Sequence, residues 1–389
     1  MPSSTFAGLG LSAATTGALA ARGIETPFAV QRMVIPDVLA GHDVLVRSPT
    51  GSGKTLAFGA PLADRIQANG RRPSALVLAP TRELAAQIVD ELHGVAHARA
   101  LAIAAVYGGV GIVKQARLAG RAHVVVATPG RLLDLIARGD LSLAHVRLLV
   151  LDEADRMLDM GFRPAVERIV AMTLADRQTL MFSATLDGEV GRLAARYTRD
   201  ARRHDHAPSP ERRGRVDHRF VRVRHERKLD HLVDELRGAG EARTLVFVRT
   251  KRGADRLVKR LGTRDVDAVA MHGDKSQAQR ERALARFESG RIDTLVATDV
   301  AARGIDVEGI THVINFDAPG ALEDYVHRVG RTARAGASGV GITFVVDDQA
   351  RDIARMATEL GLERELERGG LQADSTVGRQ AAARRRTRR

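Results

Sequence analysis

The 389-residue chain contains no cysteine and no tryptophan. The first absence removes disulfides, thiol nucleophiles and cysteine-based zinc sites, and it suits a reducing compartment. The second, with aromatics at only 3% of residues, argues against a broad platform for stacking bases. No apolar run is long enough to span a bilayer, so no membrane attachment is expected. Residues 1–21 carry no charge, but no basic stretch precedes their apolar residues, and Ser, Thr and Gly interrupt them. A secretory leader is therefore not expected. What is abundant is positive charge: Lys and Arg number 60 against 47 Asp and Glu, a formal net charge of +13. Such an excess favours a polyanionic partner, either nucleic acid or an acidic membrane surface; compositional drift toward arginine is the plainer alternative. Hydrophobic residues make up 44% of the chain, enough to bury a core, and the length suits two domains better than one.

Short runs of branched residues recur through the first half, at Val44–Val46, Ala75–Leu78, Val124–Val126, Leu148–Leu151 and Leu180–Phe182. Amphipathic helical stretches separate them, and this alternation predicts an α/β fold with a mainly parallel sheet flanked by helices. The pattern stops at residue 201. Residues 201–216 are polar with two prolines and read as a linker, which leaves His204-Asp205-His206 in solvent despite its metal-like residue types. Alternation resumes with strands at Thr244–Val248, Val269–Met271, Leu295–Ala297, Val313–Phe316 and Ile342–Val346. The expected organisation is a first α/β domain at 1–200, a linker at 201–216, a second at 217–365 and a basic tail at 366–389. Five of the last six residues are arginine. They would add salt-sensitive affinity for nucleic acid, or they are a biased terminus with no role.

Polar motifs follow directly on the apolar strands, and open α/β sheets bind ligands at the carboxyl ends of their strands. Ser48-Pro49-Thr50-Gly51-Ser52-Gly53-Lys54-Thr55 joins a strand to a helix. Its glycines let the backbone amides curl toward an anion. Lys54 is placed to neutralise the β and γ phosphates, and Thr55 to offer its hydroxyl to Mg2+. The strict phosphate-loop pattern has glycine where Ser48 stands. Asp152 and Glu153 end another strand. Asp152 suits magnesium ligation, usually through water, and Glu153 is then placed to orient or deprotonate an attacking water. Together the two segments predict hydrolysis of a nucleoside triphosphate.

Asp152-Glu153-Ala154-Asp155 spells DEAD, and from Phe6 to about Phe344 the chain resembles the DEAD-box ATP-dependent RNA helicases. Pro80-Thr81-Arg82-Glu83-Leu84, Gly108-Gly109, Thr128-Pro129-Gly130-Arg131 and Ser183-Ala184-Thr185 match the family's first-domain motifs in order. Gln277 with Arg280, the run from Ala297 to Asp306, and the run from His327 to Arg334 match those of the second. The short tail is similar to that of the bacterial RhlE-type subgroup.

The resemblance implies two tandem RecA-like domains and assigns roles. Gln31, in an adenine-reading motif spanning 6–31, would read the base, and Phe6 would stack on it, making ATP the substrate. Arg331 and Arg334 resemble arginine fingers, and Asp306 the acceptor of the ribose hydroxyls. Asp155, Ser183, Thr185, His327 and Arg328 resemble the residues that couple hydrolysis to the grip on RNA. Arg82, Gly109, Thr128, Arg131, Gln277, Arg280 and Thr298 match the RNA-facing positions, which read backbone and not sequence. The implied activity is RNA-stimulated ATP hydrolysis coupled to closure of a cleft, bending of the bound strand and local unwinding. A cytoplasmic monomer is expected; an ATP-gated RNA clamp is the alternative. Ser48-Pro49 and Arg249 depart from the residues usual in the family, where Ala-Gln and Asn are common, and these departures bear on nucleotide affinity.

Overall fold

Branched side chains that alternate between two faces build each sheet. The computed structural model describes residues 5–48, 52–206, 214–302, 307, 309–333 and 337–372. Thr50, Gly51, Asp306, Arg334 and the arginine-rich stretch within 373–389 lie outside the described residues. The chain divides into two compact units between Pro208 and Ser209.

In the first unit the strands are β1 (Val44–Arg47), β2 (Ala75–Leu78), β3 (Ile103–Val106), β4 (Val124–Ala127), β5 (Leu148–Leu151), β6 (Gln178–Ser183) and β7 (Arg202–Asp205). They form one seven-stranded sheet in the order β3-β4-β2-β5-β6-β1-β7. Every pairing is parallel. The period of two is visible in the core. Val77, Val126, Val150 and Leu180 face one apolar layer, while Leu76, Leu78, Val125 and Leu149 face the other. Helices cover both faces, so β2, β4, β5 and β6 are buried throughout. The polar motifs that follow strands in this unit therefore emerge at one edge, where the parallel strands end.

Two sequence expectations are corrected here. The stretch 201–216 is not simply a linker, because β7 extends the sheet beside β1. Arg202 N–H donates to Asp43 O, and His206 N–H donates to Arg47 O. An edge strand needs backbone partners but no apolar side chains, which is why Arg-Arg-His-Asp gave no strand signal. His204 is not in open solvent either: its Nε2 lies 2.8 Å from Asp37 Oδ2. Strand β3 was also missed, because its Ile-Ala-Ala-Val run is only half buried.

The second unit contains β8 (Val216–Arg222), β9 (Arg243–Phe247), β10 (Ala268–Met271), β11 (Thr294–Ala297), β12 (Ile310–Asn315) and β13 (Gly339–Val345). Their order is β10-β11-β9-β12-β13-β8, again all parallel. Leu245 and Leu295 pack on one face, Val246 and Val296 on the other. Order continues past residue 365, the expected end of this domain. A helix runs from Glu363 to Arg368, and Leu366 and Leu371 are buried beside Phe220 and Tyr325. Those two leucines are anchors, so residues 366–372 belong to the unit and not to the tail. Among the described residues no helix is long and apolar enough to cross a membrane.

Candidate functional site

The described residues that flank the phosphate loop of the first unit, Ser48 and Ser52 to Lys54, are held from several sides. Ser48 follows β1 and is fully buried; its N–H donates to Ser183 O at 3.0 Å, at the end of β6. Its hydroxyl shares a 2.5 Å hydrogen bond with that of Ser52. Serine at this position thus ties Ser48 to Ser52, a bond that neither alanine nor glycine could make. Gly53 caps the helix Lys54–Arg65 in the left-handed region, at φ +85°. A Cβ there would lie 2.6 Å from the ring of Phe28 and 2.7 Å from Gln31 Nε2, so only glycine fits. Lys54 is buried at the first position of this helix, and its ammonium donates to Ser48 O at 3.3 Å. Thr55 follows it on the same helix.

Asp152 and Glu153 leave the carboxyl end of β5, and both are buried. Burial pushes the Asp152 carboxyl up to about 6; Lys54 pulls against the rise and Glu153 adds to it. The chemistry is that of an oxygen ligand short of positive charge. Among the described residues no group of three or more His, Cys, Asp or Glu could hold a metal. The thermodynamic consequence can be measured. Between the usual 3.8 and about 6, the folded protein keeps a proton that the unfolded chain releases. Asp152 therefore supports the fold fully at low pH, and that support is lost as pH rises through 6. Asp152→Asn is expected to raise the stability of the ligand-free protein by about 1–3 kcal/mol above pH ~6 and to change little below pH ~4. Thermal melts across this range check it; equal melting temperatures at pH 7 would contradict it.

Glu153 sits at φ +51°, a conformation non-glycine residues adopt rarely, and its Oε2 accepts a 2.6 Å hydrogen bond from Arg156 Nη1. This ion pair is buried on both sides. Asp155 turns to β6, where its Oδ2 accepts from Ala184 N–H at 2.9 Å. Thr185 N–H in turn donates to Ser183 Oγ at 3.3 Å. The acidic motif and the Ser-Ala-Thr segment are thus joined by direct bonds, and Ser183 joins both to the phosphate loop.

Gln31 is buried on the helix Ala29–Ala40. Its Oε1 accepts from Phe28 N–H at 2.7 Å, and its Nε2 donates to Gly53 O at 3.0 Å. Each half of the amide keeps one further hydrogen-bonding position. Phe6 departs from expectation. It is 3% exposed and packs in the apolar core with Leu9, Leu11 and Val34, so no face of its ring is free for a base. The exposed aromatic is Phe28, at 52%, over Gly53 and beside Gln31.

The expected RNA-facing residues of this unit split into two kinds. Arg82 opens the helix Arg82–Ala98, and its guanidinium lies on Gly108 and Gly109. Gly109, at φ +87°, has no room for a Cβ, which would come 2.1 Å from Arg82 Nη1. Thr128 caps the helix Pro129–Ala137. Arg131 Nη1 donates to Val110 O at 3.0 Å and to Gln115 Oε1 at 3.1 Å, so this guanidinium braces the glycine loop from within.

In the second unit, Gln277 opens the helix Gln277–Glu288 behind the cap of Ser276, with Arg280 one turn on. Both are buried, and Gln277 Nε2 donates to Glu281 Oε1 at 3.1 Å. Thr298 follows β11, and its N–H donates to Met271 O at the end of β10. Arg328, on the helix Leu322–Val329, is a hub. It grips both oxygens of Asp299 at 2.5 and 2.7 Å, donates to Asn315 Oδ1 and Asp317 O, and lies 5.1 Å over the ring of Phe247. His327 precedes it, and Arg331 is buried with its Nε donating to His327 O at 3.3 Å.

Residues 28–193 match the DEAD/DEAH box helicase family, and residues 227–336 match the helicase conserved C-terminal domain. CshA, a DEAD-box ATP-dependent RNA helicase of Geobacillus kaustophilus, is 43% identical over 342 residues, which is 88% of this chain and 73% of that protein. The chain belongs to the DEAD-box ATP-dependent RNA helicases. CshA of Bacillus licheniformis is 40% identical over 365 residues, covering 94% of this chain and 74% of that one. Among solved structures, Dbp5 of S. cerevisiae bound to RNA and ADP BeF3 matches with TM-score 0.82 and 27% identity, over 92% of this chain and 94% of Dbp5.

Arg156 and Phe28 of this DEAD-box chain were not singled out from the sequence, and the partner of Asp299 was not foreseen. Arg156 lies three residues past Glu153, one helical turn, and that spacing was the available signal. Asp299 was visible as a polar residue after β11, but its bond to Arg328 spans 29 residues and has no local signature. Phe28 lies inside the adenine-reading motif, where nothing local distinguishes an exposed aromatic from a packing one.

Proposed function

We propose that the first unit binds ATP and hydrolyses it under the control of bound RNA, and that the turnover separates short RNA duplexes. The observation that carries this is the cluster at one sheet edge: a buried Lys54 in electrostatic reach of a charge-starved Asp152, with Glu153 beside it. Lys54 and the loop 50–53, with Thr50, Gly51, Ser52 and Gly53, cradle the phosphates. Thr55 and Asp152 are the residues that would hold Mg2+, which when bound neutralises charge on the phosphate oxygens. Glu153 orients the attacking water and takes its proton, with Arg156 fixing the carboxylate. Arg331 and Arg334 spread the negative charge that builds on the transferred group. Asp306 accepts from the ribose. The direct bonds among Asp155, Ala184, Ser183 and Ser48 support a coupling role for that segment, with Thr185, His327 and Arg328 as its other members. RNA backbone is met by Arg82, Gly109, Thr128, Gln277, Arg280 and Thr298. Arg131 contributes by positioning the loop that holds Gly109. That Dbp5 is seen with RNA and ADP BeF3 supports the same pair of ligands here. We place the activity in the cytoplasm, on a monomer.

For the base, the exposure of Phe28 and the burial of Phe6 favour Phe28 as the stacking partner, with Gln31 reading the adenine edge through its two spare positions. Phe28→Ala is expected to raise the KM for ATP by a loss of about 1–3 kcal/mol, roughly 5- to 150-fold, and to leave kcat nearly unchanged. Phe6→Ala should instead destabilise the fold by about 3–5 kcal/mol, read as a lower melting temperature. An unchanged KM in Phe28→Ala would return the stacking role to another residue. The function as a whole is tested by phosphate release from ATP with and without single-stranded RNA. RNA-dependent stimulation is expected; identical rates would refute it.

A further inference from the structure

The helix Lys251–Gly262 of the second unit carries five cations against one carboxylate. Its charges fall into two groups. Lys251 Nζ pairs with Asp274 at 2.6 Å, while Asp255 takes Lys275 at 2.8 Å and His272 at 3.0 Å. These pairs fasten the helix to the loop 272–276, immediately before Gln277 and Arg280. The other group is Arg252, Arg256, Lys259 and Arg260, all exposed. They form no ion pair among the described residues, although Arg252 lies near enough to Asp274 to help lower its pKa. Arg252, Arg256 and Arg260 recur every four residues and Lys259 lies three past Arg256, which places all four on the face opposite the buried Ala254, Leu257 and Leu261. Arg252, Arg256 and Arg260 follow one another at about 6 Å along the axis, comparable with the separation of neighbouring phosphates in a nucleic acid strand, and Lys259 lies beside Arg260. Arg256 and Arg260 also border a cavity of about 260 Å³ whose lining includes Lys228 and the carboxylates Glu226 and Asp317, the last paired with Lys228.

We propose that this face is a second contact for the RNA backbone, continuous through the loop 272–276 with the positions of Gln277 and Arg280. Unpaired like charges at this density repel one another and cost the free protein stability; a polyanion relieves that cost. The inference rests on the RNA-stimulated activity proposed above. It adds that a strand leaving the main track is gripped again by Arg252, Arg256, Lys259 and Arg260. These contacts are electrostatic and indifferent to sequence.

The test is a triple variant, Arg256→Glu, Lys259→Glu and Arg260→Glu, with the glutamine triple as a milder companion. ATPase activity is titrated with a long single-stranded RNA at several salt concentrations. The glutamate triple is expected to raise the RNA concentration for half-maximal stimulation by about tenfold or more, and to flatten the slope of log affinity on log salt by roughly 2, the value for three lost phosphate contacts on a single strand. The glutamine triple should show the same change in slope and a smaller loss of affinity. Activity without RNA and kcat at saturating RNA should stay at the parent values, which shows that the variants are folded. If half-maximal RNA concentration and salt slope match the parent while stimulation is intact, the face does not bind RNA and the inference is overturned alone. If the parent itself shows no stimulation by RNA, the activity it rests on fails and the inference falls with it.

Discussion

Arg331→Ala is expected to lower RNA-stimulated kcat by about 10³–10⁵, a loss of roughly 4–7 kcal/mol of transition-state stabilisation. The guanidinium is buried at the end of the helix Leu322–Val329, held through its Nε by His327 O, so it is preset and not searching in solvent. A preset planar cation spreads developing charge without the cost of ordering a long side chain. Because the role proposed for Arg331 lies in the transition state, the KM for ATP should move by only a few fold. Arg331→Lys should recover little, since an ammonium restores the charge but not the planar fork. Steady-state phosphate release at saturating RNA is the measurement. A kcat within tenfold of the parent would remove Arg331 from the chemistry.

The second large effect is at Glu153. Glu153→Gln keeps the shape of the side chain and one oxygen for Arg156, but it removes the carboxylate proposed to accept a proton. A fall in kcat of about 10²–10⁴ is expected, with ATP and RNA binding retained. The buried partner gives a second readout. Arg156→Ala removes the buried guanidinium that grips Glu153, and breaking a buried ion pair costs about 3–5 kcal/mol of stability. Glutamine retains a hydrogen-bond acceptor, so Glu153→Gln should melt closer to the parent than Arg156→Ala does. Single-turnover kinetics and thermal melts on both proteins separate the two contributions. Near-parental turnover in Glu153→Gln would show that another group handles the water.

How much of this was legible in the chain depends on the range of the interaction concerned. Val150-Leu151 running into Asp152-Glu153 announces a buried strand with carboxylates at its end, because both signals are local. The parallel sheets follow from the same alternation. The edge strand Arg202–Asp205 does not, since its stability comes from backbone bonds to Asp43 and Arg47 more than 150 residues away. Phe6 and Phe28 show the limit most clearly. Both are aromatic residues in the adenine motif, and only packing decides that one is spent on the core while the other stays exposed over Gly53. Arg131 belongs with them. The sequence shows an arginine at an RNA-facing position; the fold shows its guanidinium already engaged by Val110 and Gln115.

Strand separation of a short RNA duplex, followed with ATP, with ADP and without nucleotide, tests the central claim most directly. The account predicts separation with ATP alone, abolished in Glu153→Gln, and no activity on a long DNA duplex. Separation that proceeds equally without ATP, or that survives the loss of Glu153, would contradict it.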